Sequence, residues 1–428
     1  MNKDSLQQIT RGCEILHEAA RSTRVLSHLG WHGSVREKFF ADGCKELPVV
    51  EYPDYDAVPV LEQIDTARKL IQKLSLDGSS IDVWLNRQAD AVYNSAQMLL
   101  HTGTREFYEY SRRLYGAPDD LLLDGHTTSL KLAVEFNKTM ISLKGFDRKF
   151  LPKREVSSEE MAQSIETAVT KMFAADAPVV SVVDELSANA LAGSERIRIR
   201  RGAEFNDKDI AQLIHHEAGI HVATSLNGRQ QHLLPILAAS HAGTTRTQEG
   251  LAVFSEFITG SMDLERLQRL ADRTIAIKMA ADGADFLEVY RYFLERTGVE
   301  LQAFESTRRV FRGGVLSGGA PFTKDIVYLD GLIRVHNFLR TLVSQGRPDC
   351  LLLLFCGKLD LEDIPVLAEL SQKGLCQRPE YLPDWASDMR FLLSYLAYST
   401  FLNTIDLQAV GSHYEQLLSN APLVEMNS

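Results

Sequence analysis

The chain has 428 residues, 45% of them hydrophobic, with 46 Lys and Arg against 57 Asp and Glu and a formal net charge of −11. That length supports a sizeable core without structural metals or disulfides, and the acidic balance argues against a general nucleic-acid binder, which holds phosphates with basic surface. The five cysteines, Cys13, Cys44, Cys350, Cys356 and Cys376, are scattered and include no Cys-x-x-Cys pair, so they read as reduced thiols of a cytoplasmic protein.

Residues 1 to about 150 read as an N-terminal helical region. Its opening residues hold no signal-like apolar run, and the longest such run anywhere, Leu351 to Cys356, is far short of the roughly 20 residues of a membrane span, so no membrane partner is expected. Val60 to Leu74 and Ile81 to Leu100 carry apolar residues at three- and four-residue spacings, the period of a helix with one buried face. Before them, Pro48, Pro53 and Pro59 interrupt any regular element. Pro152 and the basic run FDRKFLPKRE suggest a seam near residue 150, with a catalytic core over 151–345 and a C-terminal helical region, 346–428, packed on it. Ser157, with Glu160 three residues on, predicts a capped helix start. Strands are predicted at 179–183 and 195–201; in the second, Ile197 and Ile199 alternate with Arg196, Arg198 and Arg200, giving one core face and one basic stripe. From Asp207 helices dominate, over 207–226, 245–260, 263–281, 285–296, 324–345 and 387–402.

Five of the twelve histidines, His215, His216, His221, His232 and His241, crowd into 27 residues, a clustering that points to a metal. Within it His216-Glu217-Ala218-Gly219-Ile220-His221 is a His-Glu-x-x-x-His arrangement, one residue longer than the zinc-protease H-E-x-x-H helix. On a regular α-helix residues five apart lie roughly 140° from one another, too far for one ion. A π-bulge restores a common face, so a widened turn is predicted at Glu217 to His221, eased by Gly219. The inward stripe of Ile210, Leu213 and Ile214 continues at His216, Glu217, Ile220 and His221, placing two imidazoles and a carboxylate where apolar side chains belong. Buried polar groups need partners, and a divalent cation supplies one.

A third ligand is required if one position is to stay open for water. Glu249 in TRTQEGLAVFSEF shares a helix face with Ala252, Val253 and Phe257 and completes a His2Glu zinc site; His232 and His241, in the connecting segment, are rivals. Glu217 would then be the general base toward water whose pKa zinc lowers. Glu256, seven residues after Glu249, is a candidate partner for a ligand.

The segments HHEAGIHV and TQEGLAVFSE resemble the signature of the QEGLA-motif metallopeptidase family, whose bacterial members are labelled flavohaemoglobin expression-modulating proteins and whose animal relatives are microtubule-associated tyrosine carboxypeptidases. VEYPDYDA, HTGTREFYEYSRRLYGAP, VVDELSANALAGSERIRIRRGA and RRVFRGG with GGAPFTKDIVYLDG extend the resemblance from about residue 10 to 400. It implies His216, His221 and Glu249 as zinc ligands and Glu217 as the catalytic carboxylate. The fold expected is α+β, predominantly helical, with a zinc-peptidase-like core and a small sheet beside the metal helix.

A carboxypeptidase must hold a terminal carboxylate and stabilise an oxyanion. Arg309, Arg312, Lys324 and Tyr328, set among two Gly-Gly pairs, are the candidates, with Arg312 and Lys324 for the carboxylate and Tyr328 or His336 for the oxyanion. If the 195–201 strand is an edge beside the metal helix it can pair with extended substrate, and Arg198 with its neighbours would favour an acidic peptide. The function expected is a cytoplasmic zinc carboxypeptidase with one Zn2+ per chain, acting on a peptide or protein C-terminus. Its alternatives are a regulatory scaffold with a closed structural zinc site and a hydrolase of a non-peptide amide.

Overall fold

The computed structural model describes residues 3–74, 80–143, 154–184, 186, 189–203, 205–402 and 405–419, so the expected seam near residue 150 lies outside the described residues. The structure is 67% helical with sheets of only two and three strands, an α+β fold dominated by helices. The helices Val58–Gln72 and Ser80–Leu100 form where the apolar spacing predicted them, and a third long helix, Lys3–Ser22, opens the region read as helical. Their buried faces, with Ile9 and Leu16, Ile64 and Ile71, and Trp84 and Leu85, share one core with Ile220, Leu251 and Phe254 from the histidine region and Leu392 and Leu396 near the C-terminus. Helices from both ends of the chain therefore brace the central histidine segment. No helix among the described residues is long and apolar enough to cross a membrane.

The two sheets lie on the other side of that segment. β1 (Glu155–Val156) pairs antiparallel with β5 (Phe205–Asn206). In the second sheet β2 (Val179–Val183) and β3 (Ala190–Ala192) flank β4 (Arg196–Arg200), parallel on one side and antiparallel on the other. The alternation is as expected: Ile197 and Ile199 are fully buried against Met161, Ile165 and Val169 of helix Ser158–Phe173 and against Ala218 and Val222, while Arg196 and Arg198 are exposed. The edge position is not as expected. β4 is the middle strand with both edges already paired, so it cannot take up a substrate strand; the basic residues needed a solvent-facing row, which a central strand of a one-sided sheet also provides. Ser157 caps its helix through Oγ and the Glu160 N–H, at 3.1 Å.

Helix Glu300–Phe311 was not expected. Its buried positions, Ala303, Phe304, Thr307, Val310 and Phe311, keep the helical period, but its N-cap is Val299, which offers no capping side chain, and the following glycines make the stretch read as a loop. Arg309 thus stands on a helix, and Arg312 is the residue that ends it.

Candidate functional site

The histidine segment starts from a strong cap. Asn206 and Asp209 form a reciprocal capping box that opens helix Asp207–Leu213. The chain then winds as a π-helix over Ile214–Val222 and returns to an α-helix over Ala223–Arg229. The widened turn predicted from the five-residue histidine spacing is present and longer than expected. It brings the His216 and His221 rings to 4.9 Å between centroids, edge to face. Gly219 has room for a side chain, since a Cβ there would meet Ile214 O only at 3.7 Å, so its contribution is backbone freedom and not space.

Helix Ala242–Ile258 brings Glu249 to the same point. Its Oε2 lies 3.4 Å from His216 Nε2 and 3.5 Å from His221 Nε2. Three ligand atoms, one from each residue, fall within 4.8 Å of one another, and this is the group among the described residues that could hold a metal. His216 Nδ1 donates to Glu256 Oε1 at 2.6 Å, which turns the lone pair of Nε2 toward Glu249. Glu256 is fully buried and also accepts two hydrogen bonds from the Arg266 guanidinium, each 3.0 Å. Glu256 thus stands where the sequence suggested, beneath a histidine.

The electrostatics of the cluster call for positive charge. Burial by itself would lower the His216 pKa, but the neighbouring Glu249 carboxylate and the hydrogen bond to Glu256 outweigh it and raise the value to about 10. The Glu249 carboxyl, despite burial, is held well below the usual carboxylate range by Lys324 and the two histidines. Yet Glu249 Oε2 is buried without a hydrogen-bond partner. Two imidazole nitrogens and an orphaned carboxylate oxygen around one point are a donor set that fits a divalent metal cation.

Glu217 is buried to 9% exposure and, with His216, lines a cleft of about 420 Å³. Tyr328, Arg309, Arg266, Arg269 and Arg273 face the same space. The Tyr328 ring is surrounded by cations: Lys324 Nζ at 5.2 Å, Arg273 Cζ at 5.4 Å and Arg309 Cζ at 5.9 Å from its centroid. Arg309 donates to Asp325 Oδ1 at 2.9 Å and to Tyr328 Oη at 3.4 Å, while Lys324 Nζ sits 3.4 Å from Glu249 Oε1.

The remaining candidates are placed apart. Arg312 is buried with its guanidinium 5.6 Å over the Phe322 ring and is not part of the cleft lining; burial and neighbouring Arg309 lower its pKa to about 10. Arg198 is exposed on the sheet and lies off the cleft, although Arg200 reaches it. His336 packs on Phe254 and Tyr395. His232 is exposed at a separate groove, and His241 is buried with neither ring nitrogen partnered. Sequence reasoning missed Arg266, Arg269 and Arg273, whose three- and four-residue steps on helix Leu264–Ala281 form one face, and Lys358, whose Nζ donates to the His221 carbonyl at 2.9 Å.

Compared with known proteins, residues 37–404, most of the chain, match the family described as microtubule-associated tyrosine carboxypeptidase. No curated protein matches it.

Proposed function

The chain belongs to the microtubule-associated tyrosine carboxypeptidase family, and from that premise we propose that it is a zinc-dependent carboxypeptidase, with His216, His221 and Glu249 as ligands and Glu217 as general base. The observation that carries the metal reading is the orphaned Glu249 Oε2, held between the two histidine Nε2 atoms. Zinc held there would polarise the scissile carbonyl and lower the pKa of the attacking water. Glu217, next in sequence to His216 and facing the cleft, takes the proton of that water and returns it to the leaving amine. Tyr328, which lines the same cleft as Glu217, donates its hydroxyl to the carbonyl oxygen as charge builds there, with Arg309 and Lys324 adding positive potential around its ring. Arg309 and Arg273 are engaged by Asp325 and Lys324 by Glu249, so Arg269, on the cleft wall, is the better-placed partner for a substrate carboxylate than Arg312 or Arg198. An extended substrate would pair with β3, since Ala190 lines the cleft and β4 is enclosed.

The test is metal analysis followed by incubation of wild type and Glu217→Gln with peptides of varied C-termini. Wild type should hold one zinc and release C-terminal residues. Glu217→Gln should hold zinc equally and lose at least about 100-fold in rate, the lower end of what a general base contributes. Zinc-loaded wild type that trims no peptide would favour a regulatory scaffold; release of an acid from small amides alone would favour the non-peptide hydrolase.

A further inference from the structure

We infer that Lys358 is a positioning residue of the metal site: its ammonium pins the backbone carbonyl of His221 and so fixes the turn from which that imidazole reaches the metal. The inference rests on the zinc reading above. A π-helix that reverts to an α-helix changes hydrogen-bond register, and the change falls at the ligand itself. The Ala223 N–H reaches back five residues to the Ala218 carbonyl, and the α-helix resumes at Ala223. The His221 carbonyl, at this junction, accepts from two side chains, Ser225 Oγ at 2.7 Å and Lys358 Nζ at 2.9 Å. The preceding carbonyl, Ile220 O, is similarly held by Thr224 Oγ1 at 2.6 Å.

Lys358 arrives from far along the chain on a loop that is itself closely fitted. The Lys358 N–H donates to Leu237 O at 2.7 Å, and a Cβ on Gly357 would lie 2.6 Å from that same oxygen and 3.2 Å from Gly228 Cα. Gln248, the neighbour of Glu249, reaches Gly357 O at 3.4 Å. The loop therefore touches both metal-bearing helices and has little freedom to move. The lysine is only 5% exposed, and no carboxylate pairs with its ammonium among the described residues. A buried ammonium without a direct counter-ion is costly. Packing alone would be met by an uncharged chain of equal length, so the charge and donor need a use. The longer-range partners of that charge are Glu217 and Glu249, the proposed base and the proposed carboxylate ligand.

Lys358→Met keeps the length and volume and removes the donor and the charge. Zinc affinity, measured by competition with a chromogenic chelator, should fall about tenfold or more, in the range that ligand-orienting partners contribute, while the thermal midpoint of the metal-free protein shows whether the fold survives. Ser225→Ala, which removes the other donor on the same carbonyl, should weaken zinc binding about two- to threefold and keeps the inference testable if the methionine variant fails to fold. Lys358→Met with wild-type zinc affinity, or Ser225→Ala without effect where the methionine variant is unfolded, would overturn it. Wild type that takes up no zinc would instead overturn the metal reading itself.

Discussion

Gly250, the residue after Glu249, lies where helix Ala242–Ile258 crosses helix Val327–Ser344 backbone against backbone. A Cβ on Gly250 would stand 2.3 Å from both C and O of Gly331, and a Cβ on Gly331 would stand 2.3 Å from Arg246 O. Non-bonded carbon contacts settle near 3.5 Å, so Gly250→Ala must drive the two helices apart by about 1 Å. Overpacking of this kind costs about 1–3 kcal/mol, and the better helix propensity of alanine returns at most about 1 kcal/mol. Net destabilisation of about 1–2 kcal/mol is expected, read as a lowered urea midpoint at constant slope. Glu249 moves with the helix. Metal-ligand distances tolerate only about 0.2 Å, so zinc affinity should fall at least tenfold. Gly12 provides the contrast: it is also helical, but nothing lies within 4 Å of its Cβ position, so Gly12→Ala should stabilise by about 0.5–1 kcal/mol. Equal stability and zinc affinity of Gly250→Ala and wild type would show that the crossing does not set the Glu249 position.

Removing Glu256 leaves Arg266 buried without its partner, so Glu256→Gln should cost about 3 kcal/mol in urea unfolding and weaken zinc binding about 10- to 100-fold. The double change Glu256→Leu, Arg266→Leu should recover most of the stability and none of the zinc affinity, and recovery of both would deny Glu256 its part in orienting His216. His241 supplies a pH dependence away from the ligands: burial pushes its pKa down from 6.5 to about 4. The unfolded chain then binds more protons between those values, so the stability due to neutral His241 is complete above about pH 6.5 and is lost as pH falls toward 4, by roughly 3 kcal/mol. His241→Gln should flatten that part of a stability profile, and an unchanged slope would mean that another group carries it.

The candidate metal cluster was legible because its signal is local. Two histidines five apart on an otherwise apolar stripe can share an ion only through a π turn, and the structure has that turn. Glu249 was legible for the same reason, as a carboxylate on a buried helix face. The partners that orient these ligands were legible only in part. Glu256 lies seven residues from Glu249 and could be found by helical spacing, but Lys358 is 137 residues from His221, and nothing in Cys-Gly-Lys-Leu announces a buried ammonium. Arg266 and Arg273 read as part of an ordinary charged helix face, because the carboxylates that make their burial tolerable, Glu256 and Asp325, come from other helices. The position of β4 was misjudged because alternation reports which face is buried and says nothing about which neighbours a strand has.

The glycine of the Gln-Glu-Gly-Leu-Ala motif now has a physical role that spacing arguments did not give it. Gly250 lets its helix touch Gly331, and on the far side of the site Gly228 makes the same kind of approach, its Cβ position only 2.2 Å from Leu237 O, where Gly357 also closes in. Helix Ala242–Ile258, carrying Glu249, and helix Ala223–Arg229, continuing from His221, are each held at backbone contact by a glycine. Side chains can rearrange to absorb a substitution, whereas backbone contacts cannot, so ligand separations set this way vary little as the rest of the molecule moves. A cluster whose three candidate ligand atoms lie within 4.8 Å of one another gains most from that kind of support. The histidines and the glutamate are the candidate ligands; the three glycine contacts fix the distances between the helices that carry them.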